Sequence, residues 1–389
     1  MEVFTFGSES VTEGHPDKLC DRVSDAVLDA CLAQDPEARV ACEACTKSGM
    51  VMILGEVITK ASVNYEQVIR EAIKATCYDS DDKGLDWRTV NVIVAVEEQS
   101  PDLAHAITAS RVLDDTAGDQ GIVFGYATDE TGERHMMPLS HILATRLCIQ
   151  LDKARKDGTL SWARPDGRAQ VVVEYNQAVD GSYSPARVKS VVVSTRHAAD
   201  IKPEVVEKEL MEHVVKVVVP ESLCDASTTY HLAQPKPMSL SGGNSDAGMS
   251  GRKNMADTYG GWGSHGGGSL SGKDGSKVHR SATYGARWAA RSLVDARLCR
   301  RCLVQLSYSP ASPQPVSLHV NSFGTAKAFG KSDAELLNIL QRNFDFRPAC
   351  LQRDLGLKAP QFQNYSAYGH LGRLDLDPLP PWEKSKDLK

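Results

Sequence analysis

The stretch with the most chemical content runs Gly266-Gly-Gly-Ser-Leu-Ser-Gly-Lys-Asp274. It departs from the phosphate-cradling pattern G-x-x-x-x-G-K-[ST] only at its end, where Asp274 replaces a hydroxyl residue. No apolar strand precedes Gly267, which makes a P-loop the weaker reading. The surrounding region is more informative: from Gly242 to Gly275 there are 12 glycines, with Arg252, Lys253 and Lys273 among them and Lys277 and Arg280 just beyond. Glycine lets backbone N–H groups approach an oxyanion, and cations on the same loops offset its charge. Polyphosphate is the ligand this suits. Trp262, Tyr259 and Met255 interrupt the region with groups that want burial, which argues against a plain flexible linker.

Two further clusters carry chemistry. Ser8-Glu-Ser-Val-Thr-Glu-Gly-His-Pro-Asp-Lys18 places acidic side chains on both sides of His15 at a helix start, a composition suited to a hard divalent cation, and Lys18 suits a metal–phosphate complex. Thr116-Ala-Gly-Asp-Gln-Gly121 sets Asp119 between glycines, as a site for a ligand ammonium requires, or as an ordinary turn provides.

Elements must hold these clusters in place. Leu19, Val23, Ala26, Val27 and Ala30 form one apolar stripe that predicts a helix between Pro16 and Gln34, with proline in its first turn. The same reasoning gives helices over 65–76, 140–156, 203–218, 281–298 and 332–344, the last opened by a Ser332–Glu335 capping box. The helix near Ser281 is placed to aim its N-terminal dipole at the anion. Strands are expected over 51–58, 90–96, 170–175, 187–195, 302–308 and 316–321. Strands and helices mix in each third of the chain without strict alternation, which predicts an α+β fold, each domain a mixed β-sheet covered by helices. The expected domains are 1–101, 114–232 and 233–373, followed by an extended tail over 374–389.

Composition narrows the classes. The 389 residues, 41% hydrophobic and 24% charged, are enough for two or three domains with real cores. A formal charge of −6 gives no global case for nucleic acid, so none is expected as a partner. No basic, apolar leader and no membrane-length run is present, so no membrane partner is expected and a soluble intracellular protein is. Cys42/Cys45 and Cys299/Cys302 are C-x-x-C pairs too far apart for a compact zinc ribbon; reduced thiols are expected.

Taken together, SESVTEGHPDK (8–18), TAGDQG (116–121), FGYATDET (124–131), DAGMSGRK (246–253) and DTYGGWGSHGGGSLSGKD (257–274) closely resemble the S-adenosylmethionine synthetase (methionine adenosyltransferase) family, nearest its eukaryotic, plant-type branch, collinearly from about Phe4 to about Arg373. The resemblance implies three similar domains and a cytoplasmic enzyme. Its substrates would be ATP and L-methionine, and its products S-adenosylmethionine, phosphate and pyrophosphate. It implies a homodimer or homotetramer with active sites between subunits, and Mg²⁺ and K⁺ as cofactors. By the same resemblance His15, Lys273, Lys277 and Arg252 would be catalytic. ATP would be held by His15, Asp166, Gly167, Arg168, Asp246, Arg252, Lys253, Ser269, Lys273 and Lys277. Methionine would meet Glu56, Gln99, Asp119, Asp246 and Lys277. Glu9 and Asp17 would bind magnesium and Glu43 potassium, and Asp274 belongs to the family pattern.

Several positions depart from that pattern. Pro237 replaces an arginine, Met238 a phenylalanine that stacks on adenine, and Pro310 an isoleucine on the base's other side; Lys236 offers a charge without a bidentate fork. Arg168 replaces a lysine and Thr116 a glycine. His279 replaces a metal-binding aspartate, and imidazole suits Mn²⁺ or Co²⁺ better than Mg²⁺. Three readings follow: a synthetase with altered rate or metal preference, a catalytically weak paralogue serving as a nucleotide-binding or regulatory subunit, and a changed choice of nucleotide.

Overall fold

Pro16 opens the first helix because its missing N–H is one the helix would leave unpaired there, and the His15 ring caps the turn. In the computed structural model, which describes residues 2–98, 117–132, 134–232, 246–310 and 312–389, this helix α1 (Pro16–Leu32) is buried on almost every side. It is joined by α2 (Tyr65–Ala75), α3 (Leu139–Lys156), α4 (Pro203–Leu210, running on through a π turn to Val218), α5 (Asn254–Asp257), α6 (Val278–Asp295), α7 (Asp333–Asn343) and α8 (Pro348–Asp354). The expected helices are all there, and the capping box at Ser332 forms with both its hydrogen bonds. One boundary is corrected: α6 starts at Val278, three residues before Ser281, because Lys277 takes the cap position.

The strands are β1 (Glu2–Val11), β2 (Arg39–Lys47), β3 (Met50–Ile58), β4 (Asp79–Ser80), β5 (Leu85–Asp86), β6 (Asn91–Glu98), β7 (Gly121–Thr128), β8 (Ala163–Gln177), β9 (Tyr183–His197), β10 (Thr229–His231), β11 (Gly248–Met249), β12 (Arg301–Tyr308) and β13 (Ser317–Asn321). Apart from the β4–β5 ribbon they form three sheets, ordered β11-β2-β3-β6, β1-β8-β9-β10 and β13-β12-β7. The first two are mixed, since β6 runs parallel to β3 and β10 parallel to β9. Helices α1 and α2 cover the first sheet, α3 the second, and α6 the third. This is a three-domain α+β architecture, as expected.

Neighbouring sequence segments exchange strands. β1 leaves the first sheet to pair along its whole length with β8, β7 pairs with β12, and β11 pairs with β2. The first and third sheets share one continuous apolar core, and the second has its own around Leu147, Val171 and Val191. The exchange is what brings the chemical clusters together, because each lies at the end of an exchanged strand.

The tail is corrected more substantially. Residues 374–389 contain only a 3₁₀ turn at Pro381–Glu383, yet Trp382 is fully buried and stacks on Tyr284 with ring centroids 3.8 Å apart. Glu383 pairs bidentately with the buried Arg287 at 2.8 and 3.0 Å. The stretch lies in the core with α6 and is not a free extension.

Candidate active site

The antiparallel pairing of β1 with β8 sets Val11 opposite Arg168 and so joins the His15 segment to Arg164-Pro-Asp-Gly-Arg168. Thr12 locks the junction, receiving the Gly167 N–H on its hydroxyl at 2.8 Å while its own N–H donates to the Gly167 carbonyl at 3.0 Å. Tyr78 donates its hydroxyl proton to the Gly14 carbonyl, next to His15. The His15 Nδ1 accepts the Asp17 N–H at 3.1 Å, which leaves Nε2 as the proton-bearing, donating nitrogen of the neutral ring. Burial, aided by Lys253 and opposed by Asp17, lowers its pKa to about 3, so the ring is neutral at physiological pH.

Cations and carboxylates gather around it. Asp17 accepts the Met249 N–H at 3.0 Å and the Lys253 ammonium at 2.5 Å. Burial pushes the Asp17 carboxyl up, but Lys253 and the Met249 N–H outweigh it and hold the pKa below the ordinary value. Asp166 is buried beside Arg196 at 3.5 Å; burial raises its pKa against Arg196 and Arg168, and the nearby Asp246 adds to the rise. Glu9, Arg252 and Lys253 line a small cleft of about 170 Å³. Ser269 packs against Gly251, beside Arg252.

The lysine loop is built differently. Gly272, at φ +77°, comes so close to β2 that a Cβ there would stand 1.8 Å from the Cys42 carbonyl oxygen. Lys273 bridges to Ala41, and the Asp274 carboxylate accepts N–H groups from Val40 at 2.7 Å and Ser276 at 2.9 Å as well as the Lys277 ammonium at 2.9 Å. Asp274 is therefore the loop's anchor, which explains why a hydroxyl residue is not there. Burial lowers the Lys273 pKa, opposed by Glu43 and Asp119 and reinforced by Lys277 and Arg280. The His279 Nε2 lies 3.7 Å from the Asp119 carboxylate, and burial, with Lys273, holds the imidazole below its ordinary pKa. Glu56 pairs in register with Ala41 and shares the outward face of the first sheet with Glu43.

Two expected phosphate ligands are reassigned. Arg280 is fully buried and forks onto Asp25 at 2.6 and 3.0 Å, so it is not open to an anion from solvent. Lys18 is also buried, between Asp21 at 2.9 Å and Asp257.

Within one chain the candidate residues form two groups. Glu9, His15, Asp17, Asp166, Gly167, Arg168, Asp246, Arg252 and Lys253 lie around the start of α1. Lys273, Lys277, His279, Asp119 and Glu43 lie beside its middle, where Asp25 accepts the Gly272 N–H at 2.8 Å. Eight residues of helix separate Asp17 from Asp25, about 12 Å. Gln99, Thr116, Lys236, Pro237 and Met238 fall outside the described residues. Pro310 is exposed just beyond β12.

A row of functional groups escaped the sequence reading. Asp17, Asp21, Asp25 and Asp29 recur every four residues along α1, all buried, and each accepts backbone N–H groups from the C-terminal part of the chain: Met249, Gly251, Gly272 and Gln361–Gln363 respectively. The i, i+4 spacing was the signal, masked by reading only the apolar face.

Fold and site together define a three-domain α+β protein with exchanged strands and a cationic, glycine-lined site suited to a polyphosphate. S-adenosylmethionine synthetase domain models match almost the whole chain: the N-terminal domain over residues 3–101, the central domain over 114–237 and the C-terminal domain over 240–384. The chain belongs to the S-adenosylmethionine synthetase family, whose general activity is S-adenosylmethionine synthesis from ATP and methionine. No helix among the described residues is long and apolar enough to cross a membrane.

Proposed function

We propose that this protein is a cytoplasmic methionine adenosyltransferase in which the methionine sulfur attacks C5′ of ATP and displaces the triphosphate, later released as phosphate and pyrophosphate. The observation that carries this reading is His15: a buried neutral imidazole whose Nε2 is its donor, set among Lys253, Arg168 and Lys18. Displacement needs no protein nucleophile. It needs alignment, and donors aimed at the charge that grows on the leaving oxygen. His15 donates to that oxygen, and Arg252, Lys253, Arg168, Lys273 and Lys277 hold the phosphates, with Ser269 and Gly167 lining the site. Asp166 and Asp246 receive the nucleoside, and Asp119, Glu56 and Gln99 the methionine.

The donor set fits magnesium in the mode it prefers with nucleotides, one or two carboxylates plus phosphate and water. Asp17 and Glu9 would hold it, and Glu43 would hold potassium. No group of three acidic, histidine or cysteine side chains that could hold a metal ion occurs among the described residues. Bound magnesium would neutralise phosphate charge. The Lys253 ammonium lies 2.5 Å from the Asp17 carboxylate.

The 12 Å along α1 between the two groups supports a site completed by a second copy, whose Lys273 group would face the first copy's His15 group. The outward face of the first sheet, with Leu54 and Ile93 more than a third exposed, is the surface a homodimer would cover, and a homotetramer would pair such dimers. A second reading, a nucleotide-binding subunit with little turnover, is favoured by His279, which stands against the carboxylate that would take the methionine ammonium.

One experiment separates them. Purified protein with ATP, methionine, K⁺ and either Mg²⁺ or Mn²⁺ is expected to form S-adenosylmethionine, phosphate and pyrophosphate. No product with any metal overturns the first reading, and ATP binding without turnover supports the second.

A further inference from the structure

Four polar backbone groups around Lys273 have fixed partners. Two belong to β2: the Cys42 N–H donates to the Gly272 carbonyl at 2.9 Å, and the Asp274 N–H donates to the Val40 carbonyl at 3.2 Å. The other two belong to a single buried ion pair. Asp25 Oδ1 accepts the Gly272 N–H at 2.8 Å, and Arg280 Nη1 donates to the Lys273 carbonyl at 3.1 Å. Asp25 and Arg280 are both fully buried, and the guanidinium lies over the Phe362 ring at 4.1 Å and donates from Nε to the Tyr284 hydroxyl at 3.0 Å.

We infer that Asp25 and Arg280 are positioning residues that hold Lys273 at the height and angle at which its ammonium meets the triphosphate. A buried ion pair is weak evidence for stability, since an apolar pair of similar volume often serves as well or better. This one has a geometric role that an apolar pair could not fill, because it presents an acceptor and a donor to the peptide groups on either side of one lysine. Asp25 and Arg280 together tie the peptide groups on either side of Lys273 to α1 and α6, and β2 alone leaves the Gly272 N–H and the Lys273 carbonyl unpartnered. Asp35, just past the end of α1, accepts N–H groups from Glu37 and Lys60 and the Thr59 hydroxyl, partners that lie outside both phosphate loops, so it is the control.

The inference rests on the reading of Lys273 as a triphosphate ligand, and its test uses a probe that does not require the whole reaction. Binding of Mg²⁺-tripolyphosphate is measured by titration in the full-length protein, with melting temperatures and, where product forms, kcat and both KM values. Removing Asp25 alone leaves Arg280 buried and unpaired, so the working variant is Asp25→Leu with Arg280→Met, which removes both charges together with the acceptor for the Gly272 N–H and the donor to the Lys273 carbonyl. Its tripolyphosphate affinity is expected to fall about tenfold and kcat on the order of 100-fold, with KM for methionine unchanged. Lys273→Met added to that background is expected to cost little more, because the pair acts through the lysine. Asp35→Asn is expected to lower the melting temperature without changing affinity. Wild-type affinity in the double variant, full additivity with Lys273→Met, equal losses in Asp35→Asn, or no tripolyphosphate binding by the wild type would each overturn the inference. If the wild type binds the probe and makes no S-adenosylmethionine, the proposed activity fails while the positioning role is still decided by affinity.

Discussion

The Asp274 carboxylate accepts the Val40 backbone N–H at 2.7 Å, tying the glycine-rich lysine loop to the edge of β2. A serine here would complete the P-loop pattern in letters and break it in structure. Asp274 also holds the Ser276 N–H and the Lys277 ammonium, and a shorter hydroxyl cannot serve all three. Asp274→Ser is therefore expected to cost about 1–3 kcal/mol of stability and to lower activity. Urea unfolding and product assays check it; a variant as stable and as active as the wild type would refute the anchoring role.

His15 gives a pH prediction with a definite sign. The ordinary histidine pKa is 6.5 and that of His15 about 3, so between those values the unfolded chain takes up a proton that the folded chain refuses. Stability is lost as pH falls through that window, by about 1.4 kcal/mol per pH unit for one proton. His15→Asn is expected to flatten this dependence in unfolding experiments at pH 4–7. The same neutrality means that kcat shows no acid limb near 6.5, while His15→Asn lowers kcat on the order of 100-fold at every pH. An acid limb at 6.5 that disappears in His15→Asn would show the ring to be charged in the working enzyme.

What was legible in the sequence was local. The α1 stripe, the proline start and the Ser332–Glu335 box depend on residues within a few positions of one another, and they form where expected. β7 was missed because glycines weaken its pattern, and one of them serves packing: a Cβ on Gly125 would stand 1.9 Å from the Ala286 carbonyl oxygen of α6. β2 was missed because its inward residues are Val40, Cys42, Ala44 and Thr46, a weak apolar signal. Strand exchange had no local sign at all, since the choice of β8 as partner for β1 is made by packing far along the chain. The same holds for the site. His15, Lys253 and Lys273 announced themselves by type and neighbours, whereas Asp25 and Arg280 acquire their roles only through contact across 255 positions.

The C-terminal stretch shows the same limit and carries its own prediction. Prolines at 378, 380 and 381 suggest an extended tail, but Trp382 fills a buried place against Tyr284 and Tyr365. Trp382→Ala is expected to cost about 3–5 kcal/mol, most of it transfer and cavity energy. Denaturant unfolding measures it, and a loss near zero would mean that the stretch is undocked in solution.

The last prediction concerns His279, whose imidazole lies 3.7 Å from the Asp119 carboxylate, against Gly268, and is held below its ordinary pKa by burial and Lys273 against Asp119. A neutral imidazole is a poor ligand for magnesium, and two facing carboxylates are a good one. His279→Asp is therefore expected to lower the Mg²⁺ concentration for half-maximal activity about tenfold, a gain of the size one charge-assisted contact supplies. Without metal the same substitution sets like charges against each other beside Lys273, so the variant should melt lower than the wild type in chelator and recover when Mg²⁺ is added. Product formation and melting temperature, each followed across a Mg²⁺ titration, give independent readings of one contact. If neither responds, position 279 does not touch the metal, and His279 acts only through its contact with Asp119.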